Sequence, residues 1–366
     1  HYYAGRLRPV VAYSMGLIYW WARLASHMPA LVNFSTHAPL LRVLAKRAAG
    51  IALQRHVPAF APRTFKELFL ERPSADPALP AVILWPDTFN NHFFPGTAKA
   101  AVEVLEAAGY QVLVPERSLC CGRPLYDYGF LDQARRQLRQ ILDTLEPQIR
   151  AGIPLVGLEP SCLAVFRDEL VNLFPNDEDA KRLCQQSFLL SEFLMKHADG
   201  YQPPTLRRTA LVQGHCHHKA IMTMADEEVV LEKMGLDYQV LDSGCCGMAG
   251  AFGFERDHYD VSIKCGERVL LPAVRDSSDD TLIITNGFSC REQIAQTTTR
   301  RALHLAEVLQ LAMRDGEQSS ESDRDGLHAE TRPGRAGTRA ALLGAGLALG
   351  GAAWGLARRR SAEVEK

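Results

Sequence analysis

Cys245 and Cys246 stand side by side between Gly244 and Gly247, and Cys120 and Cys121 repeat the arrangement ahead of Gly122. Adjacent thiols make a poor structural disulfide, because the bridge closes a strained ring that is easily reduced. Two neighbouring thiolates suit a soft metal better. Flanking glycines let the backbone bend and bring its N–H groups close to the sulfurs. Cys216 lies 29 residues before Cys245, and Cys290 lies 44 after Cys246. In the first half Asp87 lies 33 residues before Cys120, and Cys162 lies 41 after Cys121. The chain therefore contains an internal repeat of about a hundred residues.

The second set, Cys216, Cys245, Cys246 and Cys290, offers four thiolates, which fit either a [4Fe–4S] cluster or a tetrahedral zinc ion. Two ligands adjacent in sequence reach two irons of a cluster more easily than two corners of one tetrahedron, which favours iron–sulfur. Metal-free, low-pKa thiols doing disulfide exchange are a third reading. The first set is Cys120, Cys121 and Cys162 with Asp87, an acid that reads either as a metal ligand or as the cap of the next helix. Of His215, His217 and His218, His215 is expected nearest the site and the others beside it or on the surface. His92 reads as a structural histidine, and Cys184 and Cys265, in helical patterns, as buried free thiols.

Each landmark follows a run that reads as a buried strand: 81–85, 110–114 and 153–157 in the first half, then 209–212, 238–241 and 281–285. Apolar residues at three- and four-residue spacing predict helices over 96–108, 131–148 and 227–234. Strands alternating with helices indicate parallel α/β units, whose ligands gather outside the carboxyl ends of the strands. Cysteines far apart in sequence are thus expected to meet at one sheet edge.

The 366 residues, 47% of them apolar, are enough for two cores. A formal net charge of −1 does not suggest a nucleic-acid surface, and Arg42, Lys46 and Arg47 read as a solvated helix face. Nine clustered cysteines point to a reducing, cytoplasmic compartment with metal or redox use. The sequence opens at His1, as expected of a fragment or a processed product. Residues 1–77 read as a helical arm. Within it 9–22 is strongly apolar but too short to span a membrane, and reads as a helix, Trp20 and Trp21 included, packed on another domain. The first repeat is placed at 78–205 and the second at 206–315. A polar linker follows over 316–339, and 340–366 is a candidate membrane tail. Its 18 uncharged residues, 340–357, are long enough to span but weakly hydrophobic.

These residues resemble the C-terminal part of FAD-linked oxidases of the D-lactate or D-2-hydroxyglutarate dehydrogenase type. Those proteins carry a tandem cysteine-rich "CCG" domain, related to the iron–sulfur subunit of glycolate oxidase and to the cysteine-rich subunit of heterodisulfide reductase. The match rests on Trp85-Pro86-Asp87-Thr88-Phe89, Cys120-Cys121-Gly122-Arg123-Pro124, Glu159-Pro160-Ser161-Cys162, Gly244 to Gly250 and Gly287-Phe288-Ser289-Cys290-Arg291. It extends from the arm to about residue 313 and is most specific over 244–254. It implies two tandem Rossmann-like CCG repeats behind a helical arm.

What the resemblance implies is the iron–sulfur electron-transfer and scaffold portion of an FAD-linked oxidoreductase acting on D-2-hydroxy acids. Electrons would pass from flavin to a quinone or cytochrome. FAD and a ferredoxin-like module would belong to another module or subunit, since neither a Gly-rich FAD stretch nor a C-x-x-C-x-x-C-x-x-x-C-P run is found here. Peripheral or anchored attachment to the inner membrane is part of the same expectation. The full pattern of the heterodisulfide reductase protein has five cysteines per repeat. Here Asp87 stands for the first cysteine of one repeat, and Glu159 and Gly287 stand for the first thiol of each C-x-x-C. The second half is expected to hold a conventional cluster, and the first half zinc, a carboxylate-ligated metal or nothing. The non-redox alternative is a zinc-binding docking module.

Overall fold

In the computed structural model, the structure describes Tyr3, residues 5–73 and residues 76–315. The linker and tail expected over 316–366 lie outside them. Two four-stranded sheets form the frame. The first contains β1 (Ala81–Trp85), β2 (Gln111–Leu113), β3 (Leu155–Gly157) and β4 (Ser187–Leu189) in the order β2-β1-β3-β4. The second contains β5 (Thr209–Val212), β6 (Asp237–Val240), β7 (Leu282–Ile284) and β8 (Ala302–Leu303) in the order β6-β5-β7-β8. Every pairing is parallel, and the two orders are the same, so the sequence repeat is a structural repeat.

The central strands read as parallel strands should. Ala81-Val82-Ile83-Leu84-Trp85 is a continuous apolar run, because helices cover both faces of such a sheet. Trp85 is fully buried and meets Phe166 edge to face at 5.0 Å. The core of the first repeat continues through Leu138, Ile141, Leu142 and Leu145, on one stripe of the helix Leu131–Arg150. A matching cluster in the second repeat gathers Leu241, Met248, Leu270, Ile283 and Ile294.

The arm contains five helices among its described residues: α1 (Val10–Ser14), α2 (Ile18–Ala25), α3 (Pro29–His37), α4 (Pro39–Ala49) and α5 (Phe65–Leu70). Two of its expectations need correction. The apolar run 9–22 is two helices, and they pack on this chain's own repeats. Ala22 and Ala25 sit against Phe60 and Phe93, and the Tyr19 hydroxyl donates to the Ser118 carbonyl at 2.7 Å. Only the small or inward positions of α2 are covered, so Trp20 and Trp21 are exposed. Lys46 is buried, its Nζ donating to the Leu53 carbonyl at 3.0 Å, whereas Arg42 and Arg47 are solvated as expected. Among the described residues no helix is long and apolar enough to cross a membrane.

Buried polar contacts join the two repeats. Arg291 donates to Thr97 Oγ1 and Asn90 Oδ1 at 3.0 and 3.2 Å, and its guanidinium lies over the Phe94 ring. Phe89 stacks on Phe288 with ring centroids 4.0 Å apart. His304 Nε2 meets the Leu158 carbonyl at 2.9 Å, and its Nδ1 accepts from Ala306 N–H at 3.0 Å. A neutral imidazole protonated at Nε2 satisfies both bonds. Burial, then the nearby Arg291 charge, pushes its pKa down to about 3.

Two outcomes follow. Trp85→Ala should lower the unfolding free energy by about 3–5 kcal/mol, read as a fall in the guanidinium midpoint. His304 ordinarily titrates at 6.5 and here at about 3, so the unfolded chain binds its proton first on acidification. Its stabilising share is full above pH 6.5 and is lost as pH falls towards 3, at roughly 1.4 kcal/mol per pH unit. Denaturation series between those limits should show a shallower acid slope in His304→Gln.

Candidate functional site

The strand order β2-β1-β3 places three carboxyl ends side by side, and the connections leaving them carry Asp87, the Cys120–Cys121 pair and Cys162. The same three positions of the second sheet deliver Cys216, the Cys245–Cys246 pair and Cys290. The first set and Cys216 of the second open on one cavity of about 520 Å³ between the repeats. The arm contributes Met15 and Ile18 to its wall, and Phe89, Phe252 and Phe288 make much of the remainder apolar. Arg123, Tyr128, Glu159 and His217 are among the polar groups facing it.

In the second set Cys216, Cys245, Cys246 and Cys290 are near enough for each thiol to shift the ionisation of the next. Cys216 and Cys245 are exposed, while Cys246 and Cys290 are buried. The Cys245 bond and burial push the Cys216 thiol up, and Cys246 is raised by its bonds to Cys245 and Cys290. Cys245 moves the other way, since Cys216, Cys246 and the Gly247 N–H all donate to it, the last at 3.3 Å. One thiolate cradled by thiols is the proton-bound form of a soft-metal site, and metal would displace those protons. The donor set fits a thiolate-ligated iron–sulfur cluster or zinc ion.

The backbone at the pair leaves no room for a side chain. Gly247 has φ +89°, and a Cβ there would come within 2.0 Å of the Ser262 carbonyl oxygen. Gly122 takes the same left-handed conformation, φ +81°, after the first pair. Arg55, from the arm, fixes the second loop from behind, donating to the Gly253 carbonyl and to Ser262 Oγ, both at 2.7 Å. Nothing in its sequence surroundings marked Arg55, because a lone arginine in a basic segment has no motif.

The first set is built differently. Cys120, Cys121 and Cys162 are all buried, with Cys121 and Cys162 sulfurs 3.0 Å apart and Thr88 Oγ1 3.7 Å from Cys120. The bond to Cys121 and burial push Cys120 up; Cys121 lowers Cys162, but burial and the Asp87 and Glu159 carboxylates carry it to about 11. Asp87 caps the helix Thr88–His92: Oδ1 accepts from the Phe89 and Asn90 N–H groups, and Oδ2 from the Asn90 amide. Burial and Glu159 raise its pKa to about 6 against those bonds. Both carboxylate oxygens are thus engaged by the backbone and Asn90, as the capping reading expected.

His215, Cys216 and His217 hold their ligand atoms within 4.8 Å of one another. His215 is buried and lies against Gly287, where a Cβ would meet its ring carbon at 2.3 Å. The imidazole thus fills the space that a side chain at 287 would need. His217 Nε2 faces Arg123 Nη2 at 3.1 Å across the repeats, and burial with the Arg123 charge lowers its pKa to about 4. Cys184 and Cys265 stand apart from both sets and are half-buried rather than buried, Cys184 Sγ resting 3.5 Å from the Arg167 carbonyl. His92 is structural, between Ser26 and Asn91.

Glu159 links the halves. Its Oε1 accepts from the Ser161 N–H and hydroxyl of its own helix, and its Oε2 reaches across to the Phe288 N–H at 2.7 Å. The helix Phe288–Thr297 has Gly287 at its N-cap and no side-chain cap of its own, so one carboxylate serves two helix N-termini.

The family model described as CCG, cysteine-rich domain, matches residues 88–167 and again 216–295. The chain is 29% identical over 289 residues to a subunit of the anaerobic glycerol-3-phosphate dehydrogenase of Escherichia coli, covering 77% of this chain and 72% of that protein. It is 27% identical over 289 residues to D-2-hydroxyglutarate dehydrogenase of Pseudomonas putida, covering 78% of this chain and 26% of that much longer relative. Lactate utilization protein A of Bacillus licheniformis is 28% identical over 233 residues, 59% of this chain and 93% of that protein.

Glu159→Ala should cost about 1–3 kcal/mol, because two helix ends lose a charged acceptor. Glu159→Gln should recover part of it, since the amide oxygen still accepts. Thermal melts of the two variants beside the parent check the order.

Proposed function

From a chain that carries the cysteine-rich CCG domain twice, we propose an electron-transfer portion of a flavin-linked dehydrogenase acting on small hydroxylated acids or esters. The observation that carries this reading is the convergence of Cys216, Cys245, Cys246 and Cys290 at the carboxyl ends of one parallel sheet, close enough for each thiol to shift the ionisation of the next, with Cys216 on the wall of an apolar cavity. Relatives named as dehydrogenases of glycerol 3-phosphate and of D-2-hydroxyglutarate, and as a lactate utilization protein, support the substrate class. The flavin and a ferredoxin-like module would be supplied by a partner subunit or module, which fits a relative that is itself one subunit of its dehydrogenase. A quinone or cytochrome would accept the electrons.

A [4Fe–4S] cluster held by the four cysteines would supply one-electron transfer between flavin and acceptor. The remaining work belongs to this chain's own groups. Glycines 244 and 247 let the backbone close around the pair, and the Gly247 N–H donates to the Cys245 sulfur, which stabilises negative charge there. Buried Arg55 adds positive charge behind Cys246. Cys246 and Cys290 are buried away from bulk water. The first set, with three buried thiols and its acid committed to a helix cap, is assigned a zinc or structural role rather than electron transfer.

Iron, sulfide and zinc analysis with a visible spectrum on anaerobically purified protein tests the reading. About four irons and four sulfides per chain, bleached by dithionite, are expected. Cys245→Ser and Cys246→Ser should each abolish that colour while leaving the far-ultraviolet circular dichroism of the parent. Full iron in either variant, or stoichiometric zinc without colour in the parent, would overturn it.

A further inference from the structure

The arm has a composition unlike the remainder of the chain. Residues 1–66 contain nine Lys and Arg and no Asp or Glu, whereas the other 300 carry 32 basic and 42 acidic residues. The near-neutral total conceals one cationic segment. Among the described residues, that segment also holds most of the large apolar side chains left in solvent. Trp20, Trp21 and Leu24 are exposed on α2, the last to 62%. Leu31 and Phe34, one helical turn apart on α3, are 58% and 55% exposed, and Leu44 follows on α4. No residue of α3 is buried, and Lys46 is the one buried residue of α4.

These side chains are not left over from a poorly formed core. Tyr19, Ala22 and Ala25 turn the other side of α2 inward, and the Ala22 side faces Phe60 and Phe93. The helix therefore has two apolar sides, and the fold uses one. Arg23, Arg42 and Arg47 are exposed among the outward apolar residues. A short helix carrying tryptophans, aliphatic residues and arginines, with no acid to repel phosphate, matches the interface of an anionic bilayer. A protein partner would favour a mixed-sign rim, and the arm offers one sign through residue 66.

We propose that the outer face of the arm, Trp20, Trp21, Leu24, Leu31, Phe34 and Leu44 with Arg23, Arg42 and Arg47, lies on the surface of an anionic lipid bilayer. The helices rest in the headgroup layer and do not cross it, consistent with their lengths. Ile18 on the same α2 lines the cavity that receives the first cysteine set and Cys216 of the second. Docking by this face thus brings the site to the bilayer without any spanning segment.

Flotation of the full chain with phosphatidylethanolamine–phosphatidylglycerol vesicles, against phosphatidylcholine vesicles, tests the assignment. Binding to the anionic vesicles, weakened by salt, is expected. The triple variant Leu24→Gln/Leu31→Gln/Phe34→Gln should bind roughly tenfold or more weakly, and Arg23→Glu/Arg42→Glu similarly. All five positions are exposed, so the parent's melting temperature should persist. In a Trp354→Phe background, where Trp85 is buried, a blue shift of emission on vesicle addition reports Trp20 and Trp21 directly. Absence of binding, equal binding to phosphatidylcholine, or anionic binding unchanged by the arm variants would overturn the assignment. The last result would place adhesion in residues 340–357. Self-association lost in the triple variant, without vesicle binding, would overturn it in favour of a second copy of the chain.

Discussion

Parallel pairing is the constraint on which everything else in this molecule depends. A strand can neighbour a parallel strand only after a crossover, so every return of the chain begins at the same edge of the sheet. With the order β2-β1-β3, three successive departures lie next to one another. That is why residues 29 and 44 positions apart can bring their thiols to one sheet edge. The loops need little design beyond a glycine that turns left-handed after each Cys-Cys pair.

The two halves share this frame and differ in electrostatics. In the second half two of the four thiols are exposed, and the neighbouring thiols and a backbone N–H favour ionisation of Cys245. In the first half all three thiols are buried, and carboxylates at Asp87 and Glu159 oppose ionisation of Cys162. Equal topology therefore does not mean equal affinity for a cation or equal ease of losing protons.

Much of the frame was legible in the sequence because period and position reinforced one another. The runs at 81–85 and 209–212 are strands at those bounds, since apolar stretches between turn signals leave little else. The fourth strands were not legible. Ser187–Leu189 and Ala302–Leu303 are three and two residues long, set by pairing with β3 and β7 rather than by any local preference. Asp87 was half legible, since an acid before Thr88 reads as a metal ligand or as a helix cap, and the hydrogen bonds to Phe89 and Asn90 make it the cap. Trp20 and Trp21 misled, because size alone suggested burial, whereas the helix turns Tyr19, Ala22 and Ala25 inward. Arg55 and the reach of Glu159 to Phe288 were invisible, being contacts between segments more than a hundred residues apart.

Glu159 and Gly287 occupy matching places in the two repeats, yet one carries a long carboxylate and the other carries no side chain. The carboxylate caps the helix that Gly287 begins, and the bare glycine makes room for His215. A symmetric dimer of a single repeat could not do this, since a two-fold axis forces the same residue into both places. Two glutamates would compete for one helix end, or two glycines would leave both uncapped. Joining the copies in one polypeptide removed that obligation, so each half could be mutated into the complement of the other. With this asymmetry in place, neither half carries a complete set of helix caps without the other.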